Sequence, residues 1–138
     1  KNFKKQGINY GIFGDIDLEG HRQWEEKVCN AASMEAVLPL WNRDRKEIVK
    51  EFINLGFKAK IVVVNTKMLD TKFLGQDLSL SLIKEIEESG ADPCGENGEY
   101  HTVVYDGPIF KKSANIEFDY TTIPIEDKWA QIRVETKF

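Results

Sequence analysis

The sequence has no Lys/Arg-rich run, no apolar segment near the ~20 residues of a membrane span, and only two cysteines, Cys29 and Cys94. Nineteen basic residues face 23 acidic ones, for a net charge of -4, and the charges are scattered. No electrostatic footprint for nucleic acid or an anionic membrane is visible, so neither is expected as a partner. No secretory signal is read in these residues, so none is expected, and cysteines this few and this far apart suit a reducing cytoplasm better than a disulfide framework. Internal repeats and low-complexity segments are missing too. At 138 residues and 41% hydrophobic, the chain can still bury a core. It opens at Lys1 on Lys-Asn-Phe-Lys-Lys-Gln-Gly, which reads as the end of a helix stopping at Gly7; the expectation is a fragment or a processed chain.

Tyr10-Gly11-Ile12-Phe13 reads as a short buried parallel strand, with Gly14-Asp15 at its carboxyl end, where open α/β sheets present ligand groups. Asp15, Asp17, Glu19, Gly20 and Glu26 fall on EF-hand loop positions, but Arg22 stands where an apolar residue belongs and a strand precedes in place of a helix. From Glu19 to Ala32 the spacing is helical. Trp24, Val28 and Ala31/Ala32 make the apolar face, while Arg22, Glu25, Glu26 and Asn30 make the wet one. His21 and Arg22 lie in its first turn, either as a solvated helix start or as the rim of a site with Asp15. Pro39, within Val37 to Trp41, favours an edge or linker segment.

Asp44 to Glu47 reads as a capping box, opening a helix with an Ile48, Phe52, Leu55 stripe that Gly56 ends. Lys58 to Val64 follows as a strand buried on both faces. Phe73-Leu74-Gly75 suggests a short helical turn. Leu78, Leu82, Ile83 and Ile86 make another amphipathic helix, with Asp77 or Ser79 as cap, Gly90 as stop, and Glu85, Glu87 and Glu88 on its wet face. His101 to Tyr105, Ile116 to Tyr120 and Ala130 to Val134 read as further strands, the last two antiparallel. The fold class is α/β, with a mixed sheet towards the C-terminus.

Gly90 to Thr102 carries far more ionisable chemistry than a turn needs: Asp92, Cys94, Glu96, Glu99 and His101 among three glycines. Its plain alternative is a long connecting loop whose glycines supply positive φ. Gly95 and Gly98 would let backbone N–H groups turn toward a ligand, as anion-cradling nests do. Glu96 and Glu99 can accept protons, hold an ammonium or reach a magnesium ion. On an extended backbone Glu99 and His101 would point to one side as an acid/base group. Cys94 and His101 supply two zinc ligands where four are needed, so no metal site is assigned.

The run Gly-Ala-Asp-Pro-Cys-Gly-Glu-Asn-Gly-Glu-Tyr-His-Thr-Val-Val-Tyr-Asp-Gly-Pro resembles the C-terminal motif of the N-type ATP pyrophosphatases related to diphthine–ammonia ligase. Phe13-Gly14-Asp15-Ile16, the Arg22 to Cys29 helix, Pro39-Leu40-Trp41 and Leu74-Gly75 agree with it, so the resemblance covers nearly the whole chain. It implies a remnant of a HUP/Rossmann-like nucleotide-binding domain over residues 1–40 and a smaller α/β acceptor domain over 41–138. The implied reaction adenylates a carboxylate, releases pyrophosphate, and lets ammonia displace AMP to give an amide. ATP is the implied cofactor, with magnesium as its companion ion, and a carboxylate and ammonia are the implied partners; a homodimer is compatible with the reading. Gly14 and Asp15 would approach the nucleotide. Glu96, Glu99 and His101 would be catalytic, with Gly95, Asn97, Gly98, Thr102 and Arg22 at the substrate.

Two departures qualify what the resemblance implies. The family's pyrophosphate-gripping Ser-Gly-Gly-x-Asp-Ser loop is not in these 138 residues, so this piece alone is expected not to turn over ATP. A non-catalytic nucleotide- or partner-binding module is the competing reading. Diphthamide-making members usually read Gly-Glu-Gly-Gly-Glu followed by an aromatic, Glu and Thr, where this chain has Asn97 and His101. An imidazole in place of a carboxylate changes both charge and proton inventory, which resembles a bacterial-type relative with a different carboxylate acceptor.

Overall fold

The computed structural model describes residues 2–126 and 128–137. The chain divides into two compact units, Lys1–Arg45 and Lys46–Phe138.

In the first unit a short helix α1 (Asn2–Lys5) precedes β1 (Tyr10–Ile12), α2 (Glu19–Ala31) and β2 (Glu35–Val37). β1 and β2 pair in parallel, Gly11 opposite Ala36, so a helical crossover is required between them and α2 supplies it. β2 ends before Pro39, as that residue's missing N–H requires. The expected face of α2 is corrected. Glu25 and Cys29 are buried, whereas Trp24 and Val28 are exposed. The two rows are neighbours on the helix, and apolar weight alone favoured the Trp24 row. It is the Glu25–Cys29 row that turns inward: Cys29 Sγ lies against Gly11 of β1, and Glu25 lies beside Asp15, just beyond that strand. Arg45 grips Asp17 through a two-pronged ion pair, Nε–Oδ2 at 2.7 Å, which holds the Asp17 carboxyl below its usual range.

The second unit begins in α3 (Arg45–Asn54), which runs across the division between the units. There follow β3 (Lys58–Asn65), a 3-10 turn (Thr71–Phe73), α4 (Leu80–Glu88), β4 (Tyr100–Asp106), β5 (Ile116–Ile125) and β6 (Trp129–Thr136). Its sheet order is β4-β3-β6-β5. Every pairing there is antiparallel, so parallel and antiparallel strands are divided between two sheets and not mixed in one. The chain is α/β by this division. β3 is central and buried on both faces, as its Val-rich run implies. Ile61 and Val64 from β3, Phe73, Leu82 and Ile86 from α4, Tyr100 and Ala130 form the core, each large apolar side chain contributing about 1.5–3 kcal/mol by burial. Ser79 caps α4 by accepting the Leu82 N–H at 3.1 Å, and Glu85, Glu87 and Glu88 face water.

One charge lies inside this sheet. Lys60 is 7% exposed on β3. Its ammonium meets Asp77 Oδ1 at 2.8 Å and the Gly75 carbonyl at 2.9 Å, with the rings of Phe118 and Tyr120 beneath it at 5.3 and 5.6 Å. A buried ammonium needs such partners, and here all of them are found.

Candidate functional site

The loop between α4 and β4 is built around two of its own carboxylates. Asp92 accepts the Cys94 N–H on Oδ1 at 2.9 Å and the Glu96 N–H on Oδ2 at 3.3 Å. Glu99 accepts the Asp92 N–H and the Asn97 side-chain amide on Oε1, both at 3.1 Å, and the Asn97 backbone N–H on Oε2 at 3.0 Å. The Gly95 and Gly98 N–H groups go to the carbonyls of Asp92 and Gly95. The N–H groups expected to face a ligand anion are therefore taken: those of Cys94, Glu96 and Asn97 by the Asp92 and Glu99 carboxylates, and those of Gly95 and Gly98 by backbone carbonyls.

Glu99 is 2% exposed, a structural centre of this loop. His101 is exposed, its ring 5.7 Å from that of Trp129. The expected pairing of Glu99 and His101 on one side is corrected: β4 begins at Tyr100, so strand alternation has not started at Glu99. Tyr100 closes the underside, donating its hydroxyl to the Pro93 carbonyl. Gly95, at φ +74, lies over the Tyr100 ring, and a Cβ there would stand 3.1 Å from Cζ; both facts call for glycine. Glu96 and Thr102 are half-buried and Asn97 is exposed. Gly98 lies near the Trp129 ring, and Thr102 shares a pocket with Cys94 and Tyr100.

The first unit presents a second cluster. Gly14 is exposed beyond the end of β1, and Asp15 follows. Asp15 Oδ1 is 2.7 Å from His21 Nδ1. Hydrogen bonds from Glu25 and then His21 hold the Asp15 carboxyl below its usual range. Burial, reinforced by the Asp15 charge, pushes Glu25 up to about 7. Arg22 faces away from this cluster's chemistry, its Nε 3.1 Å from Glu26 Oε1 and its guanidinium 5.2 Å from the Trp41 ring centre.

Residues 44–136 match the sequence model of the diphthamide synthase C-terminal domain. The chain belongs to that family. The match takes in every element from α3 to β6, including the whole Asp92–Glu99 loop. Among curated relatives, the diphthine–ammonia ligase of Homo sapiens is 32% identical over 131 residues, covering 92% of this chain and 48% of that protein. That of Danio rerio is 34% identical over 123 residues, 86% of this chain and 48% of the other. That of Schizosaccharomyces pombe is 36% identical over 93 residues, 63% of this chain and 15% of the other. The chain thus spans about half the length of the animal relatives.

Within the family domain, Glu96, Asn97 and Gly98 lie on the loop itself; of the β4 residues, His101 shares the neighbourhood of Trp129 with Gly98, while Thr102 points to the other face, with Cys94 and Tyr100. Gly14, Asp15 and Arg22 belong to the other unit. Sequence reasoning missed Asp92 and Trp129 as partners of the loop. The Asp92-Pro93 pair was a legible sign of a side chain turning back onto its own backbone. Glu25 was also missed. Nothing in its spacing marks it, since a glutamate beside Glu26 on a helix reads as solvated.

Proposed function

We propose that this chain is part of an ATP-dependent amide ligase that adenylates a carboxylate, releases pyrophosphate, and lets ammonia displace AMP. The observation that carries this reading is the family match over residues 44–136, the stretch that holds the Asp92–Glu99 loop. Relatives named diphthine–ammonia ligase over most of the chain support the ligase class. In this reading the first unit is the closing piece of a HUP-type nucleotide domain, Gly14 and Asp15 approach the nucleotide, and the second unit presents the acceptor.

On the loop, Glu96 and His101 are the groups open to a substrate. Gly95, Asn97, Gly98 and Thr102 shape the surface around them; Arg22 is a proposed substrate residue of the first unit taken by itself. Glu99 works as a positioning residue, because its oxygens already hold the N–H groups of Asp92 and Asn97. ATP would supply the leaving pyrophosphate. The loop does not fit as its phosphate grip, since its own carboxylates occupy the N–H groups, and the Ser-Gly-Gly-x-Asp-Ser loop is not in this sequence. Magnesium would have to come with the nucleotide. Among the described residues no three His, Cys, Asp or Glu are arranged to hold an ion. The location proposed is cytoplasmic; no helix among the described residues is long and apolar enough to cross a membrane. A homodimer is part of the proposal only as an assembly to be measured.

His101 and Asn97 favour a carboxylate acceptor other than the diphthine named for the relatives. The same internal satisfaction of the loop favours a second reading, a non-catalytic module that binds a nucleotide or a partner. One experiment separates them. The chain is mixed with ATP, magnesium, ammonium and a panel of carboxylates, alone and joined to a segment bearing Ser-Gly-Gly-x-Asp-Ser, and AMP and pyrophosphate are measured. The ligase reading expects carboxylate- and ammonium-dependent AMP only in the joined form. ATP binding without AMP under every condition favours the module.

A further inference from the structure

Trp129 opens β6 and lies opposite Asn65 of β3, whose backbone N–H donates to the Glu99 carbonyl at 2.8 Å. The Lys128 carbonyl just before it accepts the Thr66 N–H at 2.8 Å, so the start of β6 is pinned to the end of β3. Tyr100, Val64 and Ala130 form one row across β4, β3 and β6 and fill the core. His101, Val63 and Gln131 form the next row, which strand alternation turns to the opposite face. Trp129, two residues from Gln131, shares that face. At this level β3 separates β4 from β6, which puts their backbones about 10 Å apart. The rings of His101 and Trp129 are nevertheless 5.7 Å apart, at an interplanar angle of 31°. Both side chains therefore lean toward each other over Val63, away from the upright direction that strand side chains ordinarily take.

The same indole reaches the loop. A Cβ placed on Gly98 would stand 4.0 Å from its Cη2 atom, at van der Waals distance. His101 itself is exposed on an edge strand, a setting in which an imidazole ordinarily moves among rotamers. We propose that Trp129 is the positioning residue for His101. The indole holds the imidazole in one rotamer beside Gly98, so the ring keeps a fixed place relative to Glu96 and Asn97. A flat ring does this and apolar bulk does not, because aromatic pairs have preferred geometries and an aliphatic side chain imposes none. The use of that imidazole on a substrate rests on the ligase reading above; its orientation does not.

Two readouts test the assignment. On the chain itself, three-bond couplings of both histidines are measured by NMR in the wild type, Trp129→Leu and Trp129→Phe, with thermal unfolding to establish that each is folded. Trp129→Met takes the place of the Leu variant if that one does not fold. His21, in the first unit, is the internal reference. One His101 rotamer is expected in the wild type, averaging over rotamers in Trp129→Leu, and one rotamer again in Trp129→Phe, with His21 the same in all three. In the joined protein, Trp129→Leu should lower kcat for AMP formation at least ~10-fold with KM for ATP unchanged, and Trp129→Phe should stay within ~3-fold of wild type. Combined with His101→Ala, Trp129→Leu should slow the reaction no further. A His101 ring that averages in the wild type, or keeps one rotamer in Trp129→Leu, overturns the proposal, as do losses in kcat that multiply in the double variant. Full AMP formation by His101→Ala, or none by the joined wild type, counts against the ligase reading, and the NMR outcome then decides the positioning role by itself.

Discussion

Glu25 and Glu99 are both carboxyl groups nearly sealed from water, and they are opposite cases. Glu99 accepts N–H groups of Asp92 and Asn97 on both of its oxygens, whereas Glu25 Oε2 has no hydrogen-bond partner among the described residues. Replacing Glu99 with Ala leaves three donors facing nothing, and at about 1 kcal/mol or more per donor we expect a loss of ~3 kcal/mol. Urea unfolding measures it, and amide exchange at residues 92–98 should accelerate; a loss below ~1 kcal/mol would remove Glu99 from the centre of the loop. Glu25 gives a pH dependence whose sign is fixed by its raised pKa. In the unfolded chain it titrates near 4.5, and in the folded state near 7, facing Asp15 and His21. Between those values the native state holds more protons, so stability falls as pH rises through that window. Asp15, held below its ordinary 3.8, acts the other way: its stabilisation is lost as pH drops beneath that value. We expect Glu25→Gln to remove the decline between pH 4.5 and 7 and to raise the melting temperature at pH 8 by roughly 3 °C. Parallel pH profiles for the two proteins would contradict this. Neither role was legible beforehand, because a sequence shows that a carboxyl is present but not whether water reaches it.

At the scale of elements, the readable ones were those whose pattern has a single solution. The Val-rich β3 and the α4 helix, with Ser79 before it and Gly90 after it, follow from local rules of burial and capping. α2 does not, since two adjacent rows each had a claim to the interior and the winning one contains a glutamate. The antiparallel pairing of the last two strands was read from their alternation and is found, but the antiparallel pairings of β3 with β4 and β6 were hidden. Strand alternation is visible along the chain, but the direction of a neighbour 40 residues away is not. A turn provides the sharpest test. Gly75 has φ +75, and a Cβ there would lie 2.6 Å from the Tyr120 ring. Gly75→Ala should therefore cost ~2 kcal/mol, from backbone strain together with displacement of Tyr120 beneath Lys60. Adding Tyr120→Ala should recover part of the packing loss but not the strain. Full recovery in the double variant would show that the backbone conformation is not limiting.

For the whole molecule, the burial is unevenly divided. Ile16 and Cys29 are the buried apolar residues of the first unit, while the core around Phe73, Ile61 and Ile86 lies wholly in the second. Forty-five residues with so little interior are below what usually folds alone. Residues 44–138 produced separately are thus expected to keep a cooperative thermal transition and strand-type circular dichroism, and residues 1–45 to show neither. A cooperative transition in the short piece would mean that its βαβ unit is more self-sufficient than its core implies. The loop of the second unit has a consequence of a different kind. Because Asp92 and Glu99 hold its backbone from within, the ordering entropy of residues 92–99 is met when the domain folds and not when a ligand arrives. On the proposed ligase reading, an acceptor reaching Glu96 would meet a preorganised loop, so its association should involve little change in heat capacity beyond that of the surface it covers.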